Sequence, residues 1–527
     1  MGIQATFQRR VSEYLQSLFD GDPESIQKSP LFAGMSRRDL LFGGGLAATV
    51  LGASGCPPAD MAIEAASEDD AKHGEKGIDP VLRRLVERCT YGANQYELNL
   101  AKQMGYDEYL AYQLDYNQID DSEMEARLSG YQSLHYSAKQ MALAGEMGNY
   151  DVFYELVNST ILRAAYSKRQ LYQRMVEFWT DHFNIYIEKD YMYYLKPVDD
   201  REVIRKHAMG TFPELLSASG HSPAMLVYLD NDPSSKEAPN QNYARELMEL
   251  HTLGVGNFSQ QDVEEVARCF TGWSLEYDWE SPSWGTFKFY GWAHDRKRKK
   301  VLGHDVPRRG GVEDGQTVFD ILSKSDSIAP ICARFIGKKI ANWLWGYDPP
   351  EALIDSMAKS YLGSDGSIKK MVKTALSHEW LSQAQPKLKR PFHYVISSMR
   401  MAPSDIPEFW GVRYALSLMG HEPFQWAPPN GYPDALQFWG GSLMPRWRYG
   451  ALVYTQNYSP QFDLSKFEGE IEPLQFMNRL NRDFFGGKIS ATDKALLLDY
   501  VQENPYSEWR RKEALGLAIS CSGFQWY

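Results

Sequence analysis

The stretch NQNYARELMELHTLGVG, Asn240 to Gly256, places one arginine, two glutamates and one histidine on a single helix-length run. At 100° per residue Arg245, Glu246 and Glu249 lie within about 100° of one another, while His251 points to the opposite side. Carboxylates grouped in this way suit general-base catalysis or the binding of a hard cation. A zinc-binding pair on one helix needs i, i+4 spacing, which Glu246 and His251 do not have, so this is not a zincin motif. Arg245 and Glu249 are spaced for an intrahelical ion pair, as are Glu265 and Arg268 in the next helix, and a polar network tying helices together is the plain alternative.

Chemistry at this strip needs partners from other segments. The candidates are Asp262, His182 in FWTDHF, and His294 with Asp295 in WAHD. In the assembled reading Glu246 is the general base, Arg245 orients or binds an anion, and His294 and Asp295 complete the catalytic set. His182, Glu249 and Asp262 are the candidate ligands of a divalent metal, the one cofactor this reading calls on. Each histidine alone also reads as a hydrogen-bonded core residue. No G-x-S-x-G elbow, P-loop or dinucleotide fingerprint occurs, which removes support for a serine triad or nucleotide chemistry.

The elements that must position these residues read as helices. From DPVLRRLVERCTYG through YELNLAKQMGYDEYLAYQLD apolar residues recur at three and four, with stops at Gly92 and Gly105. In SKRQLYQRMVEFWTDHFNIY, Met175, Phe178, Trp179 and His182 share one face, and Arg174, Glu177, Asp181 and Asn184 share another. Gly254 suits a left-handed helix stop, and Ser259 with Asp262 has the form of a capping box opening the next helix. The aromatic stretch SLEYDWESPSWGTFKFYGWAHD, broken by Pro282, Gly285 and Gly291, predicts a short hairpin or loop excursion that could stack on sugar rings or cover a pocket. IKKMVKTALSHEWL and RKEALGLAISCSGFQW echo each other, too few copies for a solenoid. The fold class is therefore mainly α, a large multi-helix domain with short β-hairpin or loop excursions.

A chain of 527 residues with a net charge of −12 can bury a large core and lacks the basic surplus of a general nucleic-acid binder. Its basic run, Asp295 to Lys300, is too short to change that. The five cysteines lie far apart without a CxxC pair, so a thiolate metal site is not expected. Near the N-terminus, Arg37 and Arg38 precede a weakly apolar run ending at Cys56. This predicts a twin-arginine export signal, too short to remain as a transmembrane helix in the mature chain. The expected organisation is an N-terminal extension with its signal over 1–56 and a flexible linker over 57–77. A main helical domain over 78–460 and a C-terminal helical segment packed on it over 461–527 follow. The expected location is periplasmic or envelope-associated, with a lipid anchor at Cys56 as an alternative to simple cleavage.

NQNYARELMELHTLGVG, DVEEVARCFTGW, HDRKRKKVLG and PPNGYP, in this order, resemble the bacterial family called domain of unknown function 1800, from about Ile78 to Tyr527. The resemblance implies a large, mainly helical exported protein, often encoded beside a sulfatase-like exported companion, and no established reaction. The family pattern falls on His182, Asn240, Asn242, Arg245, Glu246, Glu249, His251, Asp262, Glu265, Arg268, Gly272, Trp273, His294, Asp295 and Lys299. The chain departs from it at Tyr432, where the family usually has Trp. Two functional expectations follow. One is an exported, metal-assisted hydrolase of an envelope or extracellular polymer such as a polysaccharide. The other is a non-catalytic binding or assembly protein working with the companion.

Overall fold

The computed structural model describes residues 78–149, 152–455, 460–469 and 471–527. The export signal, the linker and Cys56 lie outside the described residues. The architecture is mainly α, with helices from Pro80–Cys89 to Ser522–Gln525 and three two-stranded antiparallel sheets among the described residues. The first helix shows why local sequence folds this way. Asp79 caps it by accepting from the Val81 and Leu82 amides, Pro80 occupies its first turn, and Leu82, Leu85, Val86 and Cys89 bury one stripe. Among the described residues, no helix is long and apolar enough to cross a membrane.

The buried side chains form two large hydrophobic clusters. The first is built by helices between Pro80 and Leu381, around Leu171, Met175, Trp179, Val263 and Ile336. The second joins the Val152–Tyr166 helix, through Leu156 and Ile161, to Val395, Phe476, Leu480, Leu515 and Ile519 in the helices that follow Pro391. The echo noted in the sequence has a structural form. Ala329–Leu344, Glu351–Leu362, Ile368–Ala375 and the short His378–Leu381 pack in series in the first cluster. Pro473–Phe485, Ala491–Gln502, Glu508–Ser520 and the short Ser522–Gln525 do the same in the second. In the second set Gly516 lets its helix cross Leu443–Val453 at Gly450, because a Cβ there would overlap the Gly450 carbonyl.

The aromatic excursion is a hairpin, Trp273–Leu275 pairing with Phe287–Phe289. The basic run enters a second hairpin, Lys299–Val301 with His304–Val306. Cys89, Cys269, Cys332 and Cys521 are all buried and free.

Candidate active site

The capping box at Ser259 forms as expected. Asp262 Oδ2 accepts from the Ser259 amide at 2.9 Å and its hydroxyl at 2.6 Å. Asp262 Oδ1 accepts from the Leu302 amide at 2.9 Å, which pins the second hairpin to this helix. Burial opposes its charge, but these donors hold the carboxyl below the usual carboxylate range. Its oxygens are thus committed to folding.

The preceding helix departs from the sequence reading. After Gln241–Glu246 the backbone runs as a π-helical turn over Leu247–Thr252, so a 100° wheel no longer places the side chains. The expected Arg245–Glu249 ion pair is absent among the described residues, and Arg245 Nη2 instead donates to Gln260 Oε1 at 2.6 Å. Glu246 and Glu249 make no hydrogen bond or ion pair among the described residues. Burial, and then Glu249 beside it, raise the Glu246 pKa. His251 turns inward and packs 5.9 Å from His182, ring centre to ring centre.

His182 is a core residue among Phe178, Trp179, Phe183 and Phe212. Its Nε2 lies 3.1 Å from the His251 carbonyl oxygen and so carries the proton. Burial and then the nearby Lys339 ammonium push both rings down, His182 well below the usual range and His251 to about 3. The same ammonium would oppose a metal cation at His182. The structure does not bring His182, Glu249 and Asp262 into one ligand set, and no group of three His, Cys, Asp or Glu is arranged for a metal among the described residues.

His294 and Asp295 stay together, but in a buried ion network. His294 Nε2 is 3.0 Å from Asp314 Oδ2, and its Nδ1 is 2.8 Å from the Thr271 carbonyl oxygen. Lys299, itself buried, donates to the same Asp314 oxygen at 2.5 Å. Asp295 accepts from Arg268 Nε at 2.8 Å, and Arg268 also holds Glu265 at 2.7 Å. These contacts lock the second hairpin to the Glu313–Lys324 helix and the Gln260–Cys269 helix. No hydrogen bond or ion pair among the described residues joins them to Glu246. The proposed catalytic set is therefore divided, because its histidine and aspartate are spent on internal charge compensation.

A stronger constellation lies on the other face of FWTDHF, where the Gln170–His182 helix meets the second core. Arg390, at the start of the Pro391–Met401 helix, donates Nη1 to Asp181 Oδ2 at 2.7 Å and Nη2 to Glu177 Oε1. The Tyr91 hydroxyl donates to Glu177 Oε2 at 2.7 Å. The guanidinium stacks 4.5 Å over the Trp343 ring. Burial pushes the Asp181 carboxyl up to about 6, against the pull of Arg390 and with help from Glu177 and Asp434. Its Oδ1 has no protein partner among the described residues, and the side chain is 17% exposed.

Beneath the pair is a cavity of ≈ 40 Å³ lined by Glu177, Asp181, Asp200, Arg205 and His421, room for water. Asp200 and Arg205 reach it from a second π-helical turn, Asp200–Arg205, in which they pair at 2.6 Å across five residues. Asp200 Oδ1 is buried without a protein partner, the acceptor such a water needs. The loop carrying PPNGYP closes one side. Asn184 Nδ2 holds it by the Trp426 and Pro428 carbonyls, each at 2.8 Å. Gly431 adopts φ 71° against the Asp181 backbone, where any Cβ would collide with the carbonyl. Tyr432 packs on His421 and donates to the Glu422 carbonyl at 2.6 Å, so this position is filled by packing. Sequence reasoning saw the polar stripe of Arg174, Glu177, Asp181 and Asn184 but missed Arg390, Asp200 and Arg205. That stripe was the available signal.

Fold and site together define a large, mainly helical protein with two hydrophobic cores and a buried carboxylate–arginine cluster where they meet. The chain belongs to the family described as protein of unknown function (DUF1800), whose model matches residues 84–526. No curated protein and no solved structure matches it.

Proposed function

We propose that the chain is an exported hydrolase of an envelope or extracellular polymer, with Asp181 as its acid–base residue. The observation that carries this reading is geometric. Two carboxylates one helical turn apart share Arg390 beside a water-sized cavity, and one of them keeps a free oxygen. A carboxyl titrating near 6 suits proton transfer at neutral pH. Asp181 would take a proton from the attacking water and return it to the leaving oxygen, so that water adds across the linkage. Glu177 and Arg390 are positioning residues that fix the Asp181 rotamer. The twin-arginine leader, Arg37 and Arg38 before the apolar run to Cys56, supports export to the periplasm or envelope, with a lipid anchor at Cys56 as the alternative ending.

If a divalent cation assists, Glu246 and Glu249 are the carboxylates with capacity to spare, since neither has an internal partner among the described residues. Metal analysis of natively exported protein tests that point. The test of the main reading is release of soluble fragments from isolated cell-wall material and extracellular polysaccharide, followed across pH. A rate limb near pH 6 is expected, and a rate independent of pH between 5 and 7 contradicts it. A non-catalytic partner of a sulfatase-like companion is the second reading. What favours it is that the cavity admits water but no sugar ring, while a much larger and more open concavity lies elsewhere on the chain.

A further inference from the structure

The second hairpin carries charge that the fold does not use. Lys299 pairs with Val306 in its ladder, and the same register continued outward sets Arg296 opposite Arg309. The Arg309 amide donates to the Arg296 carbonyl oxygen there, at 3.1 Å. Between these positions the register places Lys297 against Arg308, and Lys300 follows on the first strand. All five basic residues are exposed. Like charges set opposite one another across two strands repel, so this arrangement costs stability. Arg309 is also held at φ 66°, a backbone state that residues other than glycine seldom adopt.

No carboxylate pairs with these five side chains among the described residues. The carboxylates bonded to the hairpin are already used: Glu265 and Asp295 by Arg268, Asp305 by Arg298, Asp314 by Lys299, and Asp262 by Ser259. Arg296 spends one donor on the Gly291 carbonyl oxygen at 3.0 Å. The side chains of Lys297, Lys300, Arg308 and Arg309 make no hydrogen bond or ion pair among the described residues. The Arg296 bond, and one from Lys236 Nζ to the Trp292 carbonyl oxygen at 2.7 Å, hold the turn that presents Trp292 beside the cations. Trp292 is 71% exposed, with Tyr290 at a steep angle 6.1 Å away, so the indole stands open to solvent.

A partner that fits must carry repeated oxyanions for the guanidinium and ammonium groups and a flat C–H face for the indole. An acidic polysaccharide, with carboxylates or sulfates on its rings, offers both in one chain. A lipid surface would need more apolar side chains to insert, and among the described residues from 288 to 312 Trp292 alone is a large exposed hydrophobic. A single-stranded nucleic acid would stack as well, but its dense phosphates would also meet the −12 net charge of the chain.

We propose that this hairpin surface binds an acidic polysaccharide, with Arg296, Lys297, Arg308 and Arg309 holding its carboxylates or sulfates and Trp292 stacking on a sugar ring. The inference deepens the proposed function by naming the charge class of the polymer, and it rests on that reading only for the link between binding and cleavage.

The test is calorimetry of the full chain with polygalacturonate, alginate and dextran sulfate, with neutral dextran and single-stranded DNA alongside, and flotation with phosphatidylglycerol vesicles. At least one acidic polysaccharide is expected to bind and dextran is not, and raising NaCl from about 0.05 M to about 0.5 M should release the polymer. Joint replacement Lys297→Gln and Arg308→Gln should weaken binding about tenfold, the equivalent of two surface ion pairs. Its Tm should hold or rise, because it removes a like-charge pair and no internal bond. Trp292→Ala should weaken binding about tenfold as well. Lys370→Gln with Lys373→Gln, the same charge change on the Ile368–Ala375 helix, should bind as the parent does, and so should Asp181→Asn. The proposal is overturned if no acidic polysaccharide binds, if both charge variants lose the same affinity, or if binding falls only together with Tm. Tighter binding of DNA or vesicles than of every polysaccharide overturns it too. Binding without polymer cleavage removes the hydrolase reading and leaves this one standing. Cleavage without binding at the hairpin does the reverse.

Discussion

Replacing Asp181 with asparagine reports directly on the charge state assigned to the site. The carboxyl is raised from 3.8 to about 6, roughly two units, chiefly by burial. At about 1.4 kcal/mol per unit, ionised Asp181 costs the native state up to about 3 kcal/mol. The sign follows from linkage. A carboxyl whose folded pKa is raised contributes stability that is fully present below its unfolded value and lost as pH rises through about 6. The asparagine amide stays neutral throughout and can still accept from Arg390, so its effect on that contact is the same at every pH. The variant should therefore gain on the parent between pH 4 and pH 8. For a chain of this size 3 kcal/mol corresponds to about 3 °C in Tm. Thermal unfolding of both proteins in matched buffers measures it, and subtraction removes the contributions of all other groups. A difference that stays flat within about 1 °C from pH 4 to pH 8 would refute the assignment.

Other perturbations separate structure from function. Arg390→Met leaves Glu177 and Asp181 together without their cation, and should cost about 3–5 kcal/mol in denaturant unfolding; a loss under 1 kcal/mol means the pair is solvated. His294→Ala strips a partner from the buried Asp314–Lys299 pair, so a clear drop in Tm is expected, whereas Glu246→Ala, with no bond to lose, should leave Tm within about 1 °C; the reverse order contradicts the structural role given to His294. His182, His251, His393 and His421 are held neutral by burial, so they add stability above the unfolded value near 6.5 that is lost as pH falls below it. Stability of the Asp181→Asn protein, free of the opposing aspartate, should therefore fall between pH 6.5 and 5, and a rise there counts against buried neutral imidazoles.

Where sequence spacing obeyed regular helix geometry, it located structure well. The Ser259–Asp262 capping box and the left-handed Gly254 are each set within a few residues, and the two faces of the Gln170–His182 helix follow from its regular period. The wheel failed at Leu247–Thr252, because a π-helical turn shifts every following side chain and local propensity gives no warning of it. It failed again in the basic run. Lys299 looks solvated beside its charged neighbours, yet it is buried because Asp314, from a distant helix, neutralises it. The same reason hid the candidate site. Glu177 and Asp181 advertised a polar stripe, but Arg390 is more than 200 residues away and nothing local marks it as their partner. His294 and Asp295 looked catalytic as a dipeptide, and only their partners Asp314 and Arg268 reveal a structural network.

The central claim is that Asp181 performs proton transfer during polymer hydrolysis. Its most direct test compares natively exported parent, Asp181→Asn and Glu246→Gln proteins in one assay of reducing-end release from cell-wall material and extracellular polysaccharide. The account predicts release by the parent and by Glu246→Gln, with a loss of about 100-fold or more in Asp181→Asn at unchanged Tm or higher. Equal release by the parent and Asp181→Asn would contradict it.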